Sequence, residues 1–176
     1  MTNFGSLFKE EKQAQNQSLR NEDIDTMIEG EFSTWIRDNV HKRQLVDASQ
    51  YKYLCQISLG PLNVVRTWSI YYVNGYKFHT EDKSQGMKTF NSGICVIGTG
   101  EGGIVDDYYG ILKDVIELVY PQEPTKKCVL FSCDWFDPTI NHGIRVHREF
   151  GIVDIRRTRR YSKYDPFIIA ETATQV

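Results

Sequence analysis

The pair Asn74-Gly75, with "NVVRTWSIYYV" before it and "YKFHT" after it, constrains the fold of this chain more than any other feature. Asn-Gly suits the two positive-φ positions of a type I′ turn, and the β-branched and aromatic flanks favour strands. A two-residue loop fixes the register. On one side of the ribbon Val73 faces Tyr76, Tyr71 faces Phe78 and Ser69 faces Thr80. On the other side Tyr72 faces Lys77, Ile70 faces His79 and Trp68 faces Glu81. The first side is apolar near the turn and is expected to point inward. The second is mixed, so His79 and Trp68 are expected to meet solvent or a partner.

The same texture continues downstream. "TFNSGICVIG" reads as a strand in which Gly93 marks a bulge or a close approach. A second hairpin follows: "YYGILKDVIELVY", the turn "PQEPTK", then "KCVLFSCDWFD". Its first strand alternates Leu112, Asp114 and Ile116 against Ile111, Lys113 and Val115, and its second is apolar enough to be central and covered on both faces. "PTINHGIRVHREFG" reads as a loop holding a short edge strand, and residues 152–176 as one more strand and a short helix. Short turns and few helices predict a mostly β (α+β) fold with an N-terminal helix: a small SH3-like or BAH-like β-barrel, or a curved antiparallel sheet.

Upstream the pattern differs. Residues 1–20 are polar with scattered Phe4, Leu7 and Phe8, and read as a flexible arm or a weak helix. From Asn21, apolar residues recur at three- and four-residue steps (Ile24, Met27, Ile28, Phe32, Trp35, Ile36, Val40), one stripe of a helix that Asn21 caps and Gly30 weakens. The expected organisation is an arm over 1–20, an amphipathic helix and linker over 21–50, and a β-rich domain over 51–176.

Composition limits the function classes. Hydrophobic residues make up 40% and charged residues 25%, which argues against wholesale disorder. The net charge of −2 means that attraction to nucleic acid has to come from a local patch. The cysteines Cys55, Cys95, Cys128 and Cys133 form no Cys-x-x-Cys pair, and no apolar run has the length of a membrane span. Reduced cysteines, no membrane association, and a nuclear or cytoplasmic location are expected.

"YVNGYKFHT", "NSG", "DYYGILKDVIEL", "CVLFSCDWFDP" and "RRYSKYDPFIIAETATQV" occur in this order. In these motifs the chain resembles, over roughly residues 31–176, the uncharacterised C-terminal domain of proteins encoded by plant CACTA (En/Spm-type) transposons. Two departures stand out: Phe90 precedes the Asn-Ser-Gly where a glutamine is usual, and the chain stops at Gln175-Val176 where the family runs on into another aromatic strand. The resemblance implies no assigned reaction. It implies a domain that accompanies a transposase, and so association with DNA, chromatin or the transposase itself.

The strongest local signal is electrostatic. Between His142 and Tyr164 stand Arg145, Arg148, Arg156, Arg157, Arg159, Arg160 and Lys163 against only Glu149 and Asp154. Guanidinium groups bind phosphates in bidentate fashion, and Tyr161 and Tyr164 offer rings for stacking. Read as a strand, "IRRTRRY" puts Arg157 and Arg159 on one face and Arg156 and Arg160 on the other. The alternative is neutralisation by Glu101, Asp106, Asp107, Asp114 or Glu117.

A second signal is aromatic: Tyr108, Tyr109, Trp135 and Phe136 lie at the paired ends of one hairpin, as in cages for methylated lysine, or simply as core. Cys133, Asp137, His142 and His147 fit no common zinc spacing, and no metal or other cofactor is expected. Asp106, Asp107, Asp134 and Asp137 are carboxylates of the kind that hold magnesium, but "GTGEGG" lacks the strand-to-helix context of a phosphate loop. The sequence therefore predicts a non-catalytic module that binds nucleic acid or chromatin. The alternative is a protein–protein interaction or oligomerisation module with no DNA contact.

Overall fold

The computed structural model describes residues 3–44, 48–99, 105–121, 123–147, 149–161 and 166–176. The chain forms two compact units: Met1–Leu62 with Tyr120–Thr125, and Asn63–Val119 with Lys126–Val176.

The first unit is helical, with α1 (Phe4–Gln15), α2 (Asn21–Gln44) and α3 (Ala48–Ser58). The expected arm over 1–20 is thus largely a helix. Asn3 caps it by accepting from the Ser6 N–H at 3.2 Å. Phe4 and Phe8 are one turn apart and both buried. The Phe8 ring meets Phe32 and Trp35 of α2 edge-on, with centroids at 5.5 and 5.2 Å, and Trp35 Nε1 donates to Glu11 at 3.0 Å. These rings need each other, so the arm docks.

Helix α2 follows the expected stripe, with Ile24 and Val40 fully buried, and runs unbroken through Gly30. Asp23 holds its N-terminus, and the side chain of the expected cap, Asn21, lies outside the described residues. The Asp23 carboxylate accepts from the Arg20 backbone N–H at 3.1 Å, the reach-back half of a capping box. Helix α3 corrects the expectation of β structure from residue 51, since Tyr51, Leu54, Cys55 and Ser58 share one half-buried helical face. No helix among the described residues is long and apolar enough to cross a membrane.

The second unit is β-rich. It contains β1 (Arg66–Trp68), β2 (Ile70–Val73), β3 (Tyr76–His79), α4 (Glu81–Ser84), β4 (Gly93–Thr99), β5 (Val105–Tyr120) and β6 (Lys126–Trp135). Then come β7 (Ile144–His147), β8 (Ile152–Ile155), β9 (Phe167–Ile169), a 3-10 turn at Ala170–Thr172, and β10 (Thr174–Gln175). The main sheet has the order β10-β4-β5-β6-β9, with β1 also on β5, while β2–β3 and β7–β8 are separate ribbons.

Asn74 and Gly75 adopt φ of 53° and 79°, and the pairs Tyr71–Phe78, Val73–Tyr76, Ile70–His79 and Tyr72–Lys77 form as the turn dictates. The Asn74 amide also donates to the Glu171 carbonyl at 2.8 Å, which ties the turn to the C-terminal segment. That segment reports the sheet's curvature. Strands β9 and β10 occupy opposite edges, yet only Ala170–Ala173 joins them. Four flat inter-strand steps span about 19 Å at ~4.8 Å each. A 3-10 turn advances only about 2 Å per residue, so the sheet has to curl. It stays open: β9 and β10 share no ladder, and the expected closed barrel is not found among the described residues.

The core centres on Phe78, Ile94, Leu112, Val115 and Phe131. Two expectations change here. Along β5 the buried positions shift phase between Leu112 and Val115, as a bulge produces, so strict alternation fails. Along β6, Val129, Phe131, Cys133 and Trp135 are buried but Lys127 and Asp134 are exposed, so one face is covered and the other only in part. Gly93 does mark a close approach, because a Cβ there would lie 2.3 Å from the Val176 carbonyl oxygen.

His79 is the clearest correction in this unit. It is 3% exposed rather than available to a partner. After β3 the chain folds back, and the His79 N–H donates to the Asn91 carbonyl at 2.9 Å. Among the described residues, neither ring nitrogen nor the buried Ser84 hydroxyl has a partner within hydrogen-bonding reach. The two residues flank the cap Thr80 at the positions of a hydrophobic staple, filled here by polar groups.

Burial, then Lys77 and Lys83, lower the His79 pKa below its ordinary 6.5. The unfolded chain therefore binds the proton more readily. The contribution of a neutral His79 to stability is complete above about pH 6.5 and is lost as pH falls from there through the folded-state pKa. Urea midpoints measured from pH 8 to 5 are expected to fall on the acid side. The slope should flatten in His79→Phe, and an unchanged slope in that variant would refute the assignment.

Candidate nucleic-acid interface

The basic segment folds as a ribbon followed by a turn. Entry is set by Asp137, whose carboxylate accepts from the Thr139 N–H at 2.9 Å. The Thr139 side chain first, then that backbone bond, then Arg159 and His142 nearby, hold its carboxyl below the usual range. The Thr139 carbonyl accepts from the N–H groups of His142, Gly143 and Ile144, and Asn141 takes φ 64°. Gly143 is required: a Cβ there would sit 1.9 Å from the Asp137 carbonyl oxygen.

Strands β7 and β8 pair Ile144 with Ile155, Arg145 with Asp154, Val146 with Val153 and His147 with Ile152. The Arg156 N–H continues the ladder to the Gly143 carbonyl at 2.8 Å. Alternation then places Arg145, Asp154 and Arg156 on one face. Asn141, His142, Arg145, Asp154 and Arg156 line one open cleft at this end of the ribbon. His147 Nε2 lies 2.8 Å from Asp154 Oδ2.

The arginines that follow are not on a strand. The Arg159 N–H donates to the Arg156 carbonyl at 2.9 Å, closing a turn, and Arg160 bridges to Phe136 at the end of β6. The backbone of this stretch bonds to the Gly143 carbonyl, the Asp137 N–H and the Trp135 carbonyl. Arg156, Arg157, Arg159 and Arg160 are all exposed. Arg160 lies 4.5 Å from the Phe136 ring centroid, a cation–π contact that fixes its stem.

None of the expected neutralising acids forms an ion pair with these arginines among the described residues. Glu117 faces Lys127 at 3.2 Å and Arg66 at 3.9 Å. Asp107 accepts from the Tyr109 hydroxyl at 3.3 Å. Asp114 is exposed and makes no ion pair among the described residues. Glu101 and the Asp106 side chain lie outside the described residues. Among the described residues, the one ion pair that reaches the turn is Arg159–Asp137, at 3.9 Å. The field of the turn extends further: Glu81, held low first by its hydrogen bond to Lys113, is lowered also by Arg160 and Arg157. Arg148, Lys163 and Tyr164 lie outside the described residues.

The four rings read as a cage do not converge. Tyr108 and Tyr109 are consecutive on β5 and so point to opposite faces. Tyr108 packs on the core, whereas the Tyr109 hydroxyl, on the other side, is pushed up to about 12, chiefly by burial. Trp135 is buried against Gly110, where a Cβ would lie 2.7 Å from its ring. Phe136 is buried beneath Arg160.

Nor do the residues weighed for zinc gather. Cys133 is buried in the core cluster, with its thiol pushed up to about 12 by burial. Among the described residues no group of three or more His, Cys, Asp or Glu is placed to hold a metal ion. What sequence reasoning missed was the part played by His142, His147 and Asp154 around Arg145. Cross-strand pairing carries that signal, and it becomes readable only once the Gly143 turn fixes the register.

The chain has no match among curated proteins or solved structures. Residues 116–176 match the family model described as a domain of unknown function, DUF4216, a stretch that runs from the second half of β5 to the C-terminal residue and so includes the ribbon and the arginine turn.

Proposed function

We propose that this chain is a non-catalytic module that binds nucleic acid through the β7–β8 ribbon and the Arg156–Arg160 turn. The observation that carries the reading is the state of the arginines: four are exposed together, and among the described residues they make one ion pair, Arg159–Asp137 at 3.9 Å. Exposed guanidinium groups on a fixed turn are suited to neutralising phosphates and releasing counterions. The motif resemblance to plant CACTA transposon proteins supports the same reading. A domain encoded beside a transposase would work near DNA, in the nucleus, as an accessory to that enzyme.

A filter-binding titration against salt tests the proposal. Each neutralised phosphate contributes about 0.9 to the log–log salt slope on duplex DNA. Replacing Arg156, Arg157, Arg159 and Arg160 with alanine is therefore expected to reduce the slope by about 3 to 4. No binding at 20 mM salt, or binding indifferent to the four substitutions, would sink the idea. A second reading, a protein-interaction module, has one observation in its favour. Val146, Phe150 and Ile152 are exposed on the same ribbon, Phe150 at 73%. No duplex binding, together with self-association that is lost in Phe150→Ser and Ile152→Ser, would favour it.

A further inference from the structure

We infer that Arg145, Arg156 and His142 form a subsite for one backbone phosphate, and that Asp154 is an internal competitor for it, held aside by His147. The inference rests on the nucleic-acid reading above and deepens it. Arg145 and Arg156 share a face of the ribbon, and His142 lines the same cleft. Two guanidinium groups and an imidazole offer only donors to a phosphate when the ring is charged, and at least one ring donor when it is neutral. Asp154 sits in their midst: it faces Arg145 across the strands and precedes Arg156 by two residues on the same face.

An acid in that place repels the phosphate and draws the arginines to itself. The His147 contact at 2.8 Å changes its role. A donor at His147 Nε2 takes up the carboxylate, and neither arginine forms an ion pair with Asp154. The arrangement leaves both guanidinium groups open to solvent although a carboxylate is within the cleft. Affinity is thereby set by how firmly His147 holds Asp154.

The test uses the full chain, a fluorescein-labelled 20-base-pair duplex and anisotropy at several salt concentrations. Arg145→Ala, with Arg145→Gln as its more conservative companion, is expected to lower the salt slope by about 0.9, one phosphate. Asp154→Asn is expected to tighten binding about two- to fivefold, the scale of an exposed charge pair. His147→Ala is expected to weaken binding by a similar factor, and Asp154→Asn in the His147→Ala background to restore it.

Weaker or unchanged binding by Asp154→Asn overturns the competitor role. An unchanged slope in Arg145→Ala, with the arginine-turn variant still defective, overturns the subsite and leaves the broader reading standing. A wild-type chain that does not bind the duplex at low salt defeats both. Inorganic phosphate displacing the duplex at concentrations near the protein's own would assign the cleft to a free phosphate group instead of the nucleic-acid backbone.

Discussion

Replacing Phe131 with alanine is expected to destabilise the β-rich unit by about 3–5 kcal/mol, the range for truncating a buried aromatic. Phe131 is fully buried on β6, between β5 and β9. Its ring meets Phe78 at 5.1 Å and Tyr71 at 6.0 Å, both at steep interplanar angles. It thus joins the main sheet to the Asn-Gly hairpin, two elements that share no strand ladder. Truncation removes the transfer energy of the ring and leaves a cavity that rigid strands close only in part. Urea unfolding followed by circular dichroism should show a large fall in midpoint. A loss under about 1 kcal/mol would mean that the hairpin does not pack on Phe131.

Gly143→Ala is expected to be the most damaging single methyl addition in the candidate site. The added carbon would overlap the Asp137 backbone carbonyl at 1.9 Å, and a backbone atom cannot swing away as a side-chain tip can. Relief requires moving the Thr139–Gly143 turn, from which Arg145 and Arg156 take their positions. The cost is at the upper end of overpacking, about 3 kcal/mol or more. Two readouts are linked. The amides of Gly143 and Ile144, bonded to the Thr139 carbonyl, should lose hydrogen-exchange protection, and duplex affinity should fall with them. Retained protection with normal affinity would contradict the geometry of the turn.

The parts of this fold that were legible in the sequence are the ones dictated locally. Asn74-Gly75 set the register of β2 and β3 because the turn geometry leaves no other pairing. The stripe from Ile24 to Val40 set α2 because its period is helical. Helix α1 was ambiguous because its two anchors, Phe4 and Phe8, make sense only against Phe32 and Trp35 on another element. His79 was placed on the correct side of its ribbon, but alternation says which way a side chain points and nothing about what folds over it. Alternating arginines in "RRTRR" fit strand and turn equally well, and the tie is broken by Gly143 and Phe136, both distant in the pattern. The residue types of the site were visible. The pairing of Asp154 with His147 and Arg145 was not, because it depends on a register that no turn motif announces.

The central claim is that the ribbon and the arginine turn form the face that meets nucleic acid. Two-dimensional NMR of the backbone and arginine side chains, recorded while a short duplex is titrated in, tests it most directly. Shifts concentrated at residues 141–147 and 154–160, with the Arg156–Arg160 side-chain signals moving most, are the predicted result. Shifts spread over the helical unit or centred on the β2–β3 hairpin, or no shifts at low salt, would contradict it.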